Sequence, residues 1–110
     1  MPNQIATLDR VFHALADPTR RAVLHRLSSG PAAVSELAEP FAMALPSFMQ
    51  HLRVLEDGHL VQSRKRGRVR TYELAPKTLE AAGGWIAEQR DLWEKRLDRL
   101  DALLARVQKK

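Results

Sequence analysis

A chain of 110 residues with 45% apolar content suffices for one domain with a modest core, and with three Phe, two Trp and one Tyr that core is mainly aliphatic. A net charge of +5 favours an anionic partner, either nucleic acid or an acidic membrane surface. The lack of cysteine excludes disulfides and thiolate metal sites and fits a cytoplasmic protein; no signal peptide is expected, and no apolar run approaches the roughly 18 residues of a membrane span, so no membrane-spanning segment is expected.

Ile5, Leu8, Phe12 and Leu15 recur at i, i+3, i+7 and i+10 and predict a first amphipathic helix, with Asn3 or Thr7 available to cap it. Asp17-Pro18 marks a fresh start, an N-cap acid followed by proline at the first helical position. The second helix runs through Arg20, Arg21, Val23, Leu24 and Leu27 and ends at Ser29-Gly30-Pro31. Arg20 and Arg21 sit early in it, where positive charge opposes the helix dipole. They read as a solvated pair, a phosphate contact or an intramolecular ion pair. Val34, Leu37, Ala38 and Phe41 form a third, short stripe that Pro40 ends, and Ala42-Met43-Ala44 links it to the next helix.

That helix spans Leu45 to Gly58. Phe48, Leu52 and Leu55 form its buried stripe, and at about 100° per residue the opposite side carries Pro46, Ser47, Gln50 and Arg53. Gln50 and Arg53 can each make two hydrogen bonds to a base edge in a major groove. Pro46 suits the first turn, and Gly58 is placed to take the left-handed conformation at the end. Two short helices joined by a tight link, the second with polar groups outward, form a helix-turn-helix over about 34–58.

After Gly58 the period changes to two. Leu60 to Arg64 and Thr71 to Leu74 read as strands, with Lys65-Arg66-Gly67-Arg68 as the tip of a hairpin over about 60–74. Five of the seven residues from Arg64 to Arg70 are cations (Arg64, Lys65, Arg66, Arg68, Arg70), the composition of a wing that lies on a phosphate backbone or probes a minor groove. A charged edge that deters aggregation would need fewer. Pro76 opens the last element: a short helix or turn from Lys77 to Ala82, an interruption at Gly83-Gly84, then a long helix over about 85–107. Ile86, Trp93, Leu97, Leu100, Leu104 and Val107 make a heptad-like seam along it. A seam of roughly 35 Å exceeds what so small a core covers, so part of it is expected to face a second copy, beside Ile5, Leu8 and Phe12 of the first helix.

The four histidines, His13, His25, His51 and His59, do not pair at metal-ligand spacing, so no metal site and no cofactor are expected. His51 lies beside the reading face, able to meet a phosphate or to pack at the helix junction; Met49 can touch a thymine methyl or fill the core. No serine has a base and acid at motif spacing and no Gly-rich phosphate loop is present, so an enzyme is not expected.

The series Ala16-Asp17-Pro18-Thr19-Arg20-Arg21, Val34-Ser35-Glu36-Leu37-Ala38, Leu45-Pro46-Ser47-Phe48-Met49-Gln50-His51-Leu52-Arg53-Val54-Leu55-Glu56 and Gly67-Arg68-Val69-Arg70-Thr71-Tyr72 resembles the ArsR-type (arsenic-repressor-like) winged-helix regulators of bacteria over nearly the whole chain. The resemblance implies a mainly α fold with a small β-hairpin, a winged helix-turn-helix whose N- and C-terminal helices form a dimer interface, all within one domain, 1–110. It further implies a cytoplasmic homodimeric repressor of double-stranded DNA, with the helix around Ser47 to Arg53 in the major groove and the hairpin beside it. Relatives with metal ligands carry Cys-x-Cys near Val34–Leu37 or Asp/His pairs on the last helix. This chain has neither Cys nor a His on that helix, and so resembles the non-metal branch. No effector ligand is indicated. Two alternatives stand beside this reading: a protein-interaction module built on the long helix and basic wing, and a metal-responsive regulator with atypical ligands.

Overall fold

A computed structural model of the chain describes residues 3–108, with side chains from residue 6 onward. Its elements are α1 (Asn3–Leu15), α2 (Pro18–Leu27), β1 (Ala32–Ala33), α3 (Val34–Ala38), α4 (Leu45–Asp57), β2 (Val61–Arg66), β3 (Val69–Leu74) and α5 (Pro76–Gln108). Two compact units divide at Leu79 and Glu80.

In the first unit, α1 packs on α2 and α4, α2 packs on α4 and β3, and α4 packs on β2. The core is Val11 and Ala14 of α1, Val23, Leu24 and Leu27 of α2, Leu37 of α3, Phe48, Leu52 and Leu55 of α4, and Leu60, Val61 and Tyr72 beneath the sheet. The α1 residues inside the chain are therefore not those of the predicted stripe: Leu8 is half-buried and Phe12 is 37% exposed. The side chain of Ile5 lies outside the described residues. A third strand, not anticipated, extends the hairpin into a sheet of order β1-β3-β2, with Ala32 opposite Tyr72 and Ala33 opposite Thr71. Two alanines carry little strand signal of their own.

Capping chemistry sets the helix boundaries. Asp17 is the N-cap of α2 and accepts a hydrogen bond from the Arg20 N–H at 3.0 Å, with Pro18 at the first helical position. The Glu36 carboxylate accepts from the Ala33 N–H at 3.0 Å at the start of α3. Phe41, in the link after α3, stacks on Phe48 with centroids 5.5 Å apart and ties the turn to α4.

The end of α4 corrects the expectation for Gly58, whose φ is −80°. His59 takes the left-handed conformation instead, at φ 59°. The His59 N–H bonds to Glu56 O and the Leu60 N–H to Leu55 O, each at 3.0 Å, the paired bonds of a Schellman motif with His59 as the residue after the cap. Leu55 and Leu60 are both buried, supplying the apolar contact that accompanies the motif.

The last helix, α5, most of which forms the second unit, corrects the expected break at Gly83-Gly84: one helix of 33 residues, about 50 Å long, begins at Pro76 and includes both glycines. Each glycine costs about 1 kcal/mol relative to Ala. Two such costs are spread over a helix otherwise rich in Leu, Ala, Glu and Arg, so the helix continues.

His59→Gly is expected to stabilise the fold by about 0.5–1 kcal/mol, because it relieves the left-handed penalty at a small entropic cost. Urea denaturation checks this, and a destabilised variant would contradict the assignment of strain to His59.

Candidate nucleic-acid interface

Phe48, Leu52 and Leu55 are 0% exposed, which fixes the rotation of α4 about its axis. Pro46, Ser47, Gln50 and Arg53 are exposed and lie within an arc of about 120° on the other side. Met49 is half-buried at the edge of that arc. The helix starts without a side-chain cap at Ala44, and Pro46 occupies its first turn.

Pro46, Ser47 and Gln50 share a shallow cleft of about 330 Å³ with Arg20, His51 and Val54. His51 is half-buried at the α2–α4 junction, its Nδ1 3.1 Å from Arg20 Nη1 and 3.6 Å from Asp17 Oδ2. Nδ1 can accept from the Arg20 guanidinium, which only donates, when the ring is neutral, and can pair with the Asp17 carboxylate when the ring is protonated.

The same geometry resolves Arg20 and Arg21. Arg20 donates from Nε to Ala14 O at 2.8 Å and from Nη2 to His13 O at 2.9 Å, and Arg21 donates from Nη1 to Leu15 O at 2.7 Å. These carbonyls belong to the last turn of α1, where a helix leaves acceptors unpaired and its dipole favours cations. The two charges that oppose the dipole of α2 therefore answer the end of α1. The signal in the sequence was positional: two arginines one turn into a helix, two residues after the preceding one ends.

In the wing, β2 and β3 pair antiparallel from Val61 opposite Leu74 to Arg66 opposite Val69. Gly67 (φ 61°) and Arg68 form a two-residue turn with glycine first, the arrangement of a type II′ hairpin. Strand alternation splits the cations that sequence places in one run. Arg64 and Arg66 share a face with Thr71 and Glu73, Lys65 and Arg70 share the opposite face with Ser63 and Tyr72, and Arg68 is at the tip. All five are exposed. Tyr72 is buried; burial first, then the charge of Glu56, pushes its phenol above the ordinary value of 10.0.

On α5, Ile86, Trp93, Leu97, Leu100 and Leu104 are all exposed, Trp93 by 61%. The Arg96 guanidinium lies 5.6 Å from the Trp93 ring centroid. Among the described residues, no three His, Asp or Glu side chains converge where they could hold a metal ion, and no helix is long and apolar enough to cross a membrane.

This arrangement has known counterparts. Residues 15–64 match the family profile of a helix-turn-helix domain. The chain is 48% identical to the HTH-type transcriptional regulator Rv2034 of Mycobacterium tuberculosis over 73 residues, 66% of this chain and 68% of that protein. An ArsR family transcriptional regulator of known crystal structure superposes with a TM-score of 0.76 and 55% identity, covering 86% of this chain and 94% of the other. The chain belongs to the ArsR family. It is also similar, at 26% identity and a TM-score of 0.62 over 90% of this chain and 92% of the other, to a homodimeric winged helix-turn-helix DNA-binding domain of Mycobacterium bovis, a possible ArsR-family regulator. In this ArsR-family chain the profile covers α2 through the first part of the wing, the segment that holds both the cleft and the reading arc.

Asp17 supports this site from behind, by capping α2 next to His51. Burial raises its pKa; the Arg20 N–H, the charges of His51 and Arg20 and the Thr19 N–H outweigh that and hold it below the ordinary 3.8. A carboxyl with a depressed folded pKa stabilises fully above the unfolded value, and loses that contribution as pH falls through the folded one. Asp17→Ala is expected to cost about 1 kcal/mol near neutral pH. Denaturation curves at stepped pH should show the gap between variant and parent closing below pH 3.8; a gap unchanged by acid would remove the charge from the account.

Proposed function

We propose that this ArsR-family regulator is a homodimeric repressor that binds double-stranded DNA sequence-specifically, with residues 1–110 serving as one winged helix-turn-helix module. The observation that carries the reading is the division of α4: its apolar stripe is wholly buried and its polar arc wholly exposed. In this reading Ser47, Gln50 and Arg53 contact base edges, with Pro46, Met49 and His51 at the margin. Arg64, Lys65, Arg66 and Arg68 hold phosphates or the minor groove on either side of the wing and at its tip.

Dimer formation is supported by the seam of α5. Fully burying one Leu or Ile side chain is worth about 1.5–3 kcal/mol, so covering Ile86, Trp93, Leu97, Leu100 and Leu104 supplies a strong drive to associate. Ile5, Leu8 and Phe12 of α1 are assigned to the same interface. A two-fold dimer presents its reading helices to half-sites about 34–36 Å apart. Repression and a cytoplasmic location follow the family; no membrane partner and no cofactor are assigned.

Fluorescence anisotropy with DNA from upstream of the gene, beside a scrambled duplex, tests the reading. A preference of about 10³ or more at physiological salt is expected. Arg53→Ala should cost about 1–3 kcal/mol on the preferred duplex and relax discrimination at particular bases. Arg66→Ala should weaken both duplexes alike and flatten the salt slope by about one unit. Equal losses on both duplexes for Arg53→Ala would remove it from base reading. Leu97→Glu with Leu104→Glu should give a folded monomer by sedimentation equilibrium with weakened DNA binding, since both side chains are exposed within the chain. A variant that stays dimeric would place the interface elsewhere.

A further inference from the structure

A polar chain of hydrogen bonds joins the wing to α4. Arg70 Nη1 donates to Ser63 Oγ at 2.8 Å, and Ser63 Oγ donates to Glu56 Oε2 at 2.9 Å. A guanidinium has no acceptor and a carboxylate has no donor, so between these two partners the Ser63 hydroxyl accepts from Arg70 and donates to Glu56. Both bonds are charge-assisted, the stronger class of hydrogen bond. The three residues come from three elements: Glu56 from the last turn of α4, Ser63 from β2 and Arg70 from β3. Ser63 and Glu56 are half-buried and Ser63 lies opposite the buried Tyr72, so the Ser63–Glu56 bond runs at the edge of the core, while the Arg70–Ser63 bond faces solvent.

Arg70 thereby differs from Arg64 and Arg66, which line a groove on the other face of the wing with Pro31, Thr71 and Glu73. Its charge is already answered, through Ser63, by Glu56. Base reading by α4 and phosphate holding by the wing must happen on one duplex at once, and hydrogen bonds weaken steeply with misalignment. We propose that Glu56, Ser63 and Arg70 form a positioning relay that sets the wing against the reading helix, and that Arg70 serves DNA binding through the wing's placement and not by holding a phosphate. This rests on the DNA-reading function proposed above.

The test combines anisotropy on the preferred duplex across a salt series with amide hydrogen exchange of the free protein, for Ser63→Ala, Ser63→Thr, Arg70→Ala and the Ser63→Ala/Arg70→Ala pair. Ser63→Ala is expected to weaken binding about tenfold, the scale of one hydrogen bond to a charged group, with an unchanged salt slope. Ser63→Thr, which keeps the hydroxyl, should restore it. Arg70→Ala should match Ser63→Ala, and the pair should be no worse than either alone. In the free protein, the amides of residues 64–70 should exchange faster in Ser63→Ala than in Ser63→Thr. The relay is overturned if Arg70→Ala lowers the salt slope by about one unit and its loss adds to that of Ser63→Ala, the signature of a direct phosphate contact. If the parent protein shows no preference among duplexes, the DNA reading fails, and exchange alone judges the relay: faster wing exchange in Ser63→Ala sustains it and unchanged exchange overturns it.

Discussion

Burial of Phe48, Leu52 and Leu55 is the constraint on which the first unit depends. Three side chains at i, i+4 and i+7 leave α4 one rotational setting, because a shift of one residue turns the helix by about 100° and brings polar groups into the core. Each surrounding element contributes to the same closure: Val11 and Ala14 from α1, Val23, Leu24 and Leu27 from α2, Leu60 and Val61 at the root of the wing. The exposed arc of Ser47, Gln50 and Arg53 is what remains once this closure is made. The chemistry offered to a partner is thus set by packing on the far side of the same helix.

The ends of the helices carry the precision. The carbonyls at the end of α1 are held by Arg20 and Arg21, and Arg20 reaches His51 on α4 as well, so one guanidinium links α1, α2 and the reading helix. At the other end of α4, the Schellman bonds hand the chain directly to β2: Leu60 bonds back to Leu55 through its N–H and accepts from the Ala75 N–H at 2.9 Å. Leu60 is therefore tied to the reading helix and to the return strand of the wing together. Short connections with saturated hydrogen bonds leave few soft torsions between α4 and the hairpin.

The features legible in sequence were those with a period or a cap. The stripe of α4, the Asp17-Pro18 start and the glycine-bearing hairpin each follow from one local rule, and each lies where that rule puts it. What was hidden depended on contacts between distant residues. Arg20 and Arg21 bond carbonyls six or seven positions upstream, β1 exists only because β3 offers it a ladder, and Arg70 is engaged by a serine across the sheet. Two glycine positions depart from the simplest local rule. At the end of α4 the left-handed residue is one place later than the glycine, because the Schellman bonds count from the cap. In α5, paired glycines suggest a break by local rule, but a long helix absorbs their cost.

The second unit introduces a different kind of control. Its seam is exposed along most of α5, so its apolar surface reaches a favourable state only by association. In the dimeric reading, a two-headed binder gains from the second half-site through effective concentration, whereas a monomer presents one arc and one wing and loses that gain. Occupancy of DNA is then linked to protein concentration through the dimerisation equilibrium, and binding to DNA strengthens the dimer in turn, because a ligand that favours one state of an equilibrium draws the population toward it. In the dimeric reading, a fall in the protein's own concentration empties the site without any ligand entering the fold.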